Sequence, residues 1–148
     1  MKFWDSSALV PLIVEEPPSR ACRALLRADP GPVAWCLSRV EILSALCRRH
    51  RDGGLSVADL ARAEARLDRL AARWAEVDAV IPVRELAERL LRVHPLRAAD
   101  AMQLAAALAA VDGRPRRRGF VVLDGGLADA AAREGFDVVR PAPRSVLQ

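Results

Sequence analysis

The chain has no tyrosine, a single lysine and few aromatic residues of any kind, and these scarcities limit what its 148 residues can form. Aromatic side chains make up 4% of the sequence. Aliphatic residues and alanine must therefore fill the core, which favours helices packed closely on a sheet. The apolar stretch 98–111 is too short to span a bilayer, and the first predicted strand begins almost at Met1, where it leaves no room for a signal peptide. We therefore expect a soluble cytoplasmic protein that has no membrane segment.

Paired cysteine motifs are also missing from the sequence. Cys22, Cys36 and Cys47 give an odd count and form no CxxC pattern. Such a set is typical of reduced thiols in a cytosolic protein rather than of a disulfide framework. We expect these three residues to be reduced members of the core.

Arginine dominates the basic residues that the chain does have. Of the 23 basic residues, all but Lys2 are arginine, the net charge is +4 and the isoelectric point is about 9.7. The planar guanidinium matches the geometry of a phosphate group, which suits a nucleic-acid substrate. The alternative is that the base composition of the genome favours arginine and alanine, and the sequence leaves both interpretations open.

The order of predicted elements is that of an α/β protein. We expect one domain over residues 1–148, because no repeat, low-complexity tract or long linker divides the chain. Short apolar runs predict five strands at 2–5, 33–36, 77–81, 120–123 and 137–139. Periodic or capped segments predict helices at 6–15 (interrupted at Pro11), 19–28, 38–51, 56–73, 82–93, 97–111 and 124–134. This alternation predicts a mostly parallel central sheet of about four to five strands with helices on both faces.

Four acidic residues lie where a predicted strand gives way to a helix, or just inside a helix start: Asp5, Glu41, Asp100 and Asp124. Ligands of open α/β sheets bind beyond the carboxyl ends of the strands, so we expect these side chains to meet at one edge of the sheet. Clustered carboxylates repel one another unless a cation joins them, and hard divalent cations prefer oxygen ligands. The pattern predicts a Mg²⁺ or Mn²⁺ site and favours a metal-dependent nuclease.

Each acid also has a purely structural interpretation. Asp5 and Asp124 suit helix N-caps. Ser38 and Glu41 fit a capping box, in which the glutamate returns to the N-cap backbone N–H. Asp100 complements the helix dipole in the first turn of its helix. Capping and catalysis do not exclude each other, because helix N-termini at this edge also place backbone N–H groups beside a phosphate.

The segments around the acids carry a family resemblance. Residues 3–9 (FWDSSAL), 38–46 (SRVEILSAL) and 96–105 (LRAADAMQLA) resemble three signatures of PIN-domain nucleases. Residues 120–124 (FVVLD), with the small and apolar residues that follow, resemble the last acidic motif of that family. The spacing matches over nearly the whole chain, and the size is similar to that of VapC-type toxins of bacterial toxin–antitoxin pairs.

The resemblance implies an endoribonuclease that uses Mg²⁺ or Mn²⁺, often forms a homodimer and is inhibited by a cognate antitoxin protein. It also implies that Asp5, Glu41, Asp100 and Asp124 are the catalytic, metal-site acids. Asp5 and Asp100 are then the principal direct ligands, while Glu41 and Asp124 hold metal-bound waters or a second ion. The family commonly has Thr or Ser two residues before the last acid, whereas this chain has Val122 there and lacks that hydroxyl.

Four further residues are predicted to contact the RNA substrate. Ser6 matches the small hydroxyl residue that the family often has beside its first acid. Arg97 is close to Asp100 in sequence and can reach a substrate phosphate or pair with a carboxylate. Arg116 and Arg117 belong to a basic loop over residues 113–119, which either binds RNA phosphates or is simply solvated.

Other classes of function remain open at the level of sequence. One is a non-toxin PIN-like nuclease, a DNA nuclease or another phosphohydrolase, although the first strand is not followed by the DxD of aspartyl-phosphate phosphatases. Another is a Mg²⁺-binding signalling or non-catalytic interaction domain. Signalling domains of that kind usually carry a lysine near the site, and Lys2 lies on the first predicted strand instead.

Overall fold

A five-stranded, all-parallel sheet lies at the centre of the protein. The computed structural model describes residues 1–143. The strands are β1 (Phe3–Trp4), β2 (Val33–Trp35), β3 (Ala75–Val77), β4 (Gly119–Val121) and β5 (Asp137–Val139). Their order across the sheet is β3-β2-β1-β4-β5, and every neighbouring pair is parallel. The expected α/β class and parallel sheet are confirmed.

Helices connect the strands and cover both faces of the sheet. They are α1 (Ser6–Leu9), α2 (Ser19–Ala28), α3 (Ser38–Arg51), α4 (Val57–Ala71), α5 (Val80–Val93), α6 (Ala98–Ala110) and α7 (Gly125–Glu134), and a 3-10 turn (Val10–Leu12) follows α1. Along residues 1–143, no helix has the length and apolarity needed to cross a membrane.

Alternation along the strands divides the core into two layers. Phe3 and Phe120 pack on the α5–α7 side of the sheet, and their rings stack with centroids 5.5 Å apart. Trp4 and Val121, the next residue of each strand, pack on the α1–α4 side. Successive side chains of a strand point to opposite faces, so two buried layers require strands that are apolar at every position. This explains why the strands appear in the sequence as continuous apolar runs.

Two predicted elements are displaced in the structure. The third strand, expected over 77–81, is Ala75–Val77, and Val80 begins α5 instead. Val80 and Ile81 are half exposed, so the apolar run there is not buried in the sheet. The first helix, expected to reach residue 15, ends at Leu9, because Pro11 has no N–H to continue an α-helix and the chain tightens into a 3-10 turn.

The cysteines meet the expectation of a place in the core only in part, because Cys22 alone is fully buried. Cys22 is buried, Cys36 and Cys47 are partly buried, and all three, which lie in the described part of the chain, are free thiols.

The connections place a switch point at the middle of the sheet. From β1 the chain moves outward through β2 to β3, and it then crosses back to β4 on the other side of β1 before reaching β5. Helices that follow β1 and β4 therefore leave the sheet in opposite directions and open a crevice above the carboxyl ends of these strands.

Candidate active site

The four predicted acids line one cavity at this switch point. The cavity has a volume of about 520 Å³. Asp5 follows β1 and Asp124 follows β4, whereas Glu41 and Asp100 come from the first turns of α3 and α6. The remaining lining residues are mostly small or polar and come from α1, the 3-10 turn and α3: Ser6, Ser7, Val10, Val40, Ser44, Ala45 and Arg48.

Asp5 is the most buried of the acids, with 3% of its surface exposed. Its backbone N–H donates to the carbonyl of Val121 at 2.9 Å, and its carboxylate caps α1 by accepting from the N–H of Ser7 at 3.0 Å. Burial raises the pKa of Asp5 to about 6; the hydrogen bonds from Ser7 oppose that shift, and the charges of Glu41 and Asp100 add to it. The predicted capping role is confirmed, yet the carboxylate remains costly to ionise.

Glu41 does not form the capping box that its spacing from Ser38 indicated. Leu37 occupies the N-cap of α3, without a side-chain cap. The two carboxylate oxygens of Glu41 accept instead from Ser6 Oγ at 2.8 Å and from Gln103 Nε2 at 3.1 Å. The Ser38 hydroxyl also accepts a hydrogen bond from Gln103. Both residues of the expected capping box therefore bind Gln103 of α6 instead of capping α3. Burial raises the pKa of Glu41, the Ser6 and Gln103 hydrogen bonds counteract this shift, and Asp100 reinforces it.

Asp100 and Asp124 occupy the more open part of the cavity. Asp100 is partly buried, and burial followed by the charge of Asp124 raises its pKa, against the influence of Arg97. Asp124 is exposed and caps α7 by accepting from the N–H of Leu127 at 2.8 Å. Repulsion between carboxylates therefore links Asp5 with Glu41 and Asp100, Glu41 with Asp100, and Asp100 with Asp124.

The acids share a cavity without closing around a single point. Within residues 1–143, no three aspartate, glutamate, histidine or cysteine side chains are near enough to one another to form a ready ligand set for an ion. The donor set still fits Mg²⁺ or Mn²⁺, because Mg²⁺ takes one or two carboxylates and retains several waters. Burial is the main cause of the raised pKa values of Asp5, Glu41 and Asp100, so a divalent cation bound in the cavity would stabilise their ionised forms.

The arginines separate into two groups. Arg48 lines the cavity, and Arg97 is near enough to lower the pKa of Asp100. Arg116 and Arg117, which sequence reasoning also placed with the substrate, do not line the cavity. Their loop leads into the amino end of β4, and the adjacent carbonyl of Arg118 accepts from the N–H of Asp137 where β5 begins. They therefore lie at the amino ends of the strands, whereas the acids lie at the carboxyl ends.

Arg48 is the charged cavity residue that the motifs did not indicate. It lies seven positions after Glu41 on α3, and Ser44 and Ala45 lie three and four positions after it. These intervals place all four residues on one helix face. The helical spacing from Glu41 was therefore the available signal.

Ser7 connects β4 to α1 at the rim of the cavity. Its hydroxyl accepts from the backbone N–H of Leu123 at 3.0 Å, and its own N–H binds Asp5. This one residue thereby fixes the ends of β1 and β4, and with them Asp5 and Asp124, relative to each other.

The architecture and the cavity define an α/β protein with a carboxylate-lined crevice at the carboxyl edge of a parallel sheet. The chain belongs to the PIN domain family, which its sequence matches over residues 2–112. It is 34% identical over 110 residues to "Ribonuclease VapC45" and to "Ribonuclease VapC49", both from Mycobacterium tuberculosis, and each match covers 74% of this chain and 76% of the relative.

Solved structures share the fold at much lower sequence identity. The "Toxin-antitoxin complex from Klebsiella pneumoniae" superposes with a TM-score of 0.67 at 16% identity, covering 95% of this chain and 98% of the other. "FitAcB from Neisseria gonorrhoeae" gives a TM-score of 0.65 at 16% identity over the same shares of the two chains. The fold class and the family predicted from the sequence are thus confirmed.

Proposed function

We propose that this protein is a Mg²⁺- or Mn²⁺-dependent endoribonuclease of the VapC type, which hydrolyses phosphodiester bonds of RNA. One observation carries the proposal: four carboxylates line a single cavity at the switch point, and those of Asp5, Glu41 and Asp100 have raised pKa values. The family membership and the relatives at 34% identity, which are named ribonucleases, support the same activity.

Asp5 and Asp100 are the acids best suited to hold the cation directly. Both have raised pKa values, and the charge of Asp100 contributes to the shift at Asp5. Glu41 already accepts hydrogen bonds on both oxygens, and Asp124 is exposed to solvent. These two acids therefore suit the binding of metal-bound waters rather than direct coordination. When bound, the cation supplies charge stabilisation for the phosphate and a water of lowered pKa.

The chain's own residues then bind and orient the substrate. Arg48 in the cavity wall and Arg97 beside Asp100 offer guanidinium groups to the phosphates that flank the scissile bond. Without these guanidinium groups, a carboxylate-lined cavity would repel the polyanionic backbone of RNA. Ser6, which we expected to contact substrate, donates its hydroxyl to Glu41. In this proposal Ser6 therefore acts by holding Glu41.

Cleavage of a labelled RNA tests the activity. With Mg²⁺ or Mn²⁺, the wild-type protein should cleave single-stranded RNA internally, and EDTA should abolish cleavage. Asp100→Asn should lower turnover about 100-fold or more, because a cation site supplies several kcal/mol to the transition state. Asp129→Asn is a matched control, since Asp129 is an exposed acid of α7 outside the cavity. Full metal-dependent cleavage by folded Asp100→Asn protein would refute the proposed site, and a preference for DNA would favour the DNA-nuclease alternative.

The biological context we propose is that of a toxin in the cytoplasm, restrained by a cognate antitoxin protein and acting as a homodimer. The support is the family resemblance and the identity of 34% to proteins named VapC. The test is expression of the chain alone and together with the product of any small adjacent reading frame. We expect the wild-type protein to arrest growth and Asp100→Asn not to arrest it. Coexpression of the adjacent product should relieve the arrest. Growth unaffected by active wild-type nuclease would refute the toxin assignment and leave the nuclease assignment standing.

A further inference from the structure

Gln103 is a buried polar residue in an otherwise apolar part of α6. Its side chain has no solvent exposure, and its helix neighbours Leu104, Ala105 and Ala106 are equally buried in the α5–α7 layer. An apolar residue of similar size would satisfy the packing at this position without bringing an amide into the core. The presence of glutamine therefore calls for an explanation in its contacts.

Those contacts lead to the acidic cavity. Gln103 Nε2 donates to Ser38 Oγ at 3.0 Å and to Glu41 Oε1 at 3.1 Å, which uses both protons of the amide nitrogen. The amide oxygen of Gln103 is buried and has no hydrogen-bond partner within residues 1–143. If the amide were flipped, its oxygen would face the Glu41 carboxylate, and two hydrogen-bond acceptors would then meet. The side chain thus leaves a buried acceptor unpaired while it donates to Glu41.

We propose that Gln103 is a positioning residue of the nuclease site, which fixes the Glu41 carboxylate for the divalent cation and its waters. This inference rests on the proposed function. Ser6 holds the other carboxylate oxygen at 2.8 Å, so donors from α1 and α6 grip Glu41 from two sides. An ionised carboxylate has about four lone-pair sites, and these two hydrogen bonds leave about two for the cavity. Residues that orient the groups around a metal in this way commonly change its affinity when they are replaced.

Substitution separates positioning from packing. Gln103→Met keeps the length and flexibility of the side chain but cannot donate, and it removes the unpaired buried oxygen. Leu104→Met is the matched control, because it changes the shape of the adjacent fully buried side chain and leaves the Glu41 contacts intact. We expect Gln103→Met to weaken Mn²⁺ binding about 10- to 100-fold, measured by the electron paramagnetic resonance of free Mn²⁺ without RNA. We expect Leu104→Met to bind Mn²⁺ as the wild type does.

Kinetics on the same proteins provide a second readout. The Mn²⁺ concentration for half-maximal cleavage should rise in Gln103→Met by the same factor as the dissociation constant, while KM for RNA stays unchanged. A general packing defect would lower the active fraction without moving the metal midpoint. Wild-type Mn²⁺ affinity and wild-type metal midpoint in folded Gln103→Met would overturn the inference.

The wild-type chain allows a test that needs no substitution. It contains two glutamines, Gln103 and Gln148, and no asparagine, so its nitrogen–proton spectrum holds only two side-chain amide pairs. With Gln103 assigned through its own side-chain connectivity, we expect its amide signals to shift during a Mg²⁺ titration and to saturate with metal binding. Signals that stay fixed while the protein binds Mg²⁺ would overturn the positioning role alone. Wild-type protein that neither binds Mg²⁺ or Mn²⁺ nor cleaves RNA would overturn the proposed function as well.

Discussion

Replacing Asp5 by asparagine should make the metal-free protein increasingly stable relative to wild type as the pH rises, while it removes activity. Asp5 is almost completely buried, and its pKa is raised from 3.8 to about 6, chiefly by burial. Asparagine has the same shape, caps a helix as well as aspartate does and can still accept from the N–H of Ser7. The substitution therefore removes the buried charge and leaves the cap of α1 in place.

The direction and size of the effect follow from proton linkage. Because the folded state holds the Asp5 proton more tightly than the unfolded chain does, Asp5 weakens the fold as the pH rises from about 4 to above 6. A pKa of about 6 in place of 3.8 corresponds to about 3 kcal/mol. An unpaired amide N–H₂ of asparagine costs about 1–3 kcal/mol, but that cost is independent of pH. The stability of Asp5→Asn relative to wild type should thus increase by about 2.5 kcal/mol between pH 4 and pH 8, because the unfolded carboxyl is already more than half ionised at pH 4.

Urea unfolding in EDTA at pH 4, 5, 6, 7 and 8 measures this difference directly. Saturating Mg²⁺ should then stabilise the wild type at pH 8, by about 2.7 kcal/mol at 100 times its dissociation constant, and should leave Asp5→Asn unchanged. Asp129→Asn is the control for a surface charge. A difference that stays constant from pH 4 to pH 8, or that narrows as the pH rises, would refute the reasoning about the buried carboxylate.

Three further results are expected. Arg48→Gln should raise KM for RNA about 10-fold and reduce the salt dependence of RNA binding, while kcat changes little. Unaltered RNA affinity across a salt series would show that Arg48 does not contact the substrate. The double variant Arg116→Glu, Arg117→Glu should cleave a short RNA at the wild-type rate, because these residues lie at the amino ends of the strands, away from the cavity. A large loss of cleavage rate would show that the RNA extends to them. Ser7→Ala should lower the free energy of unfolding by about 1–3 kcal/mol, because the backbone N–H of Leu123 loses its partner, and calorimetry showing no change would contradict this.

The architecture was predictable because local signals and the global fold agree. The bounds of α2, α3 and β5 match the sequence-based predictions to the residue. The third strand was displaced because its apolar residues Val80 and Ile81 begin a helix and remain half exposed. Apolar composition alone does not separate a short strand from a helix start.

The site was predictable only in part, because side-chain partners far apart in sequence decide its details. The spacing between Ser38 and Glu41 indicated a local capping box, but Gln103, which lies more than 60 residues further along the chain, binds both side chains. The basic loop containing Arg116 and Arg117 attracted attention by its charge, whereas its distance from the acids is set by the sheet topology.

In the proposed function, the crevice above β1 and β4 holds a divalent cation. Anomalous scattering from a crystal of the wild-type protein soaked in Mn²⁺ would locate that cation. We predict an anomalous peak in the cavity beside Asp5 and Asp100 that is absent from an Asp5→Asn crystal treated in the same way. A Mn²⁺ peak elsewhere on the molecule with the cavity empty, in crystals of protein that cleaves RNA, would rule out the cavity as the metal site.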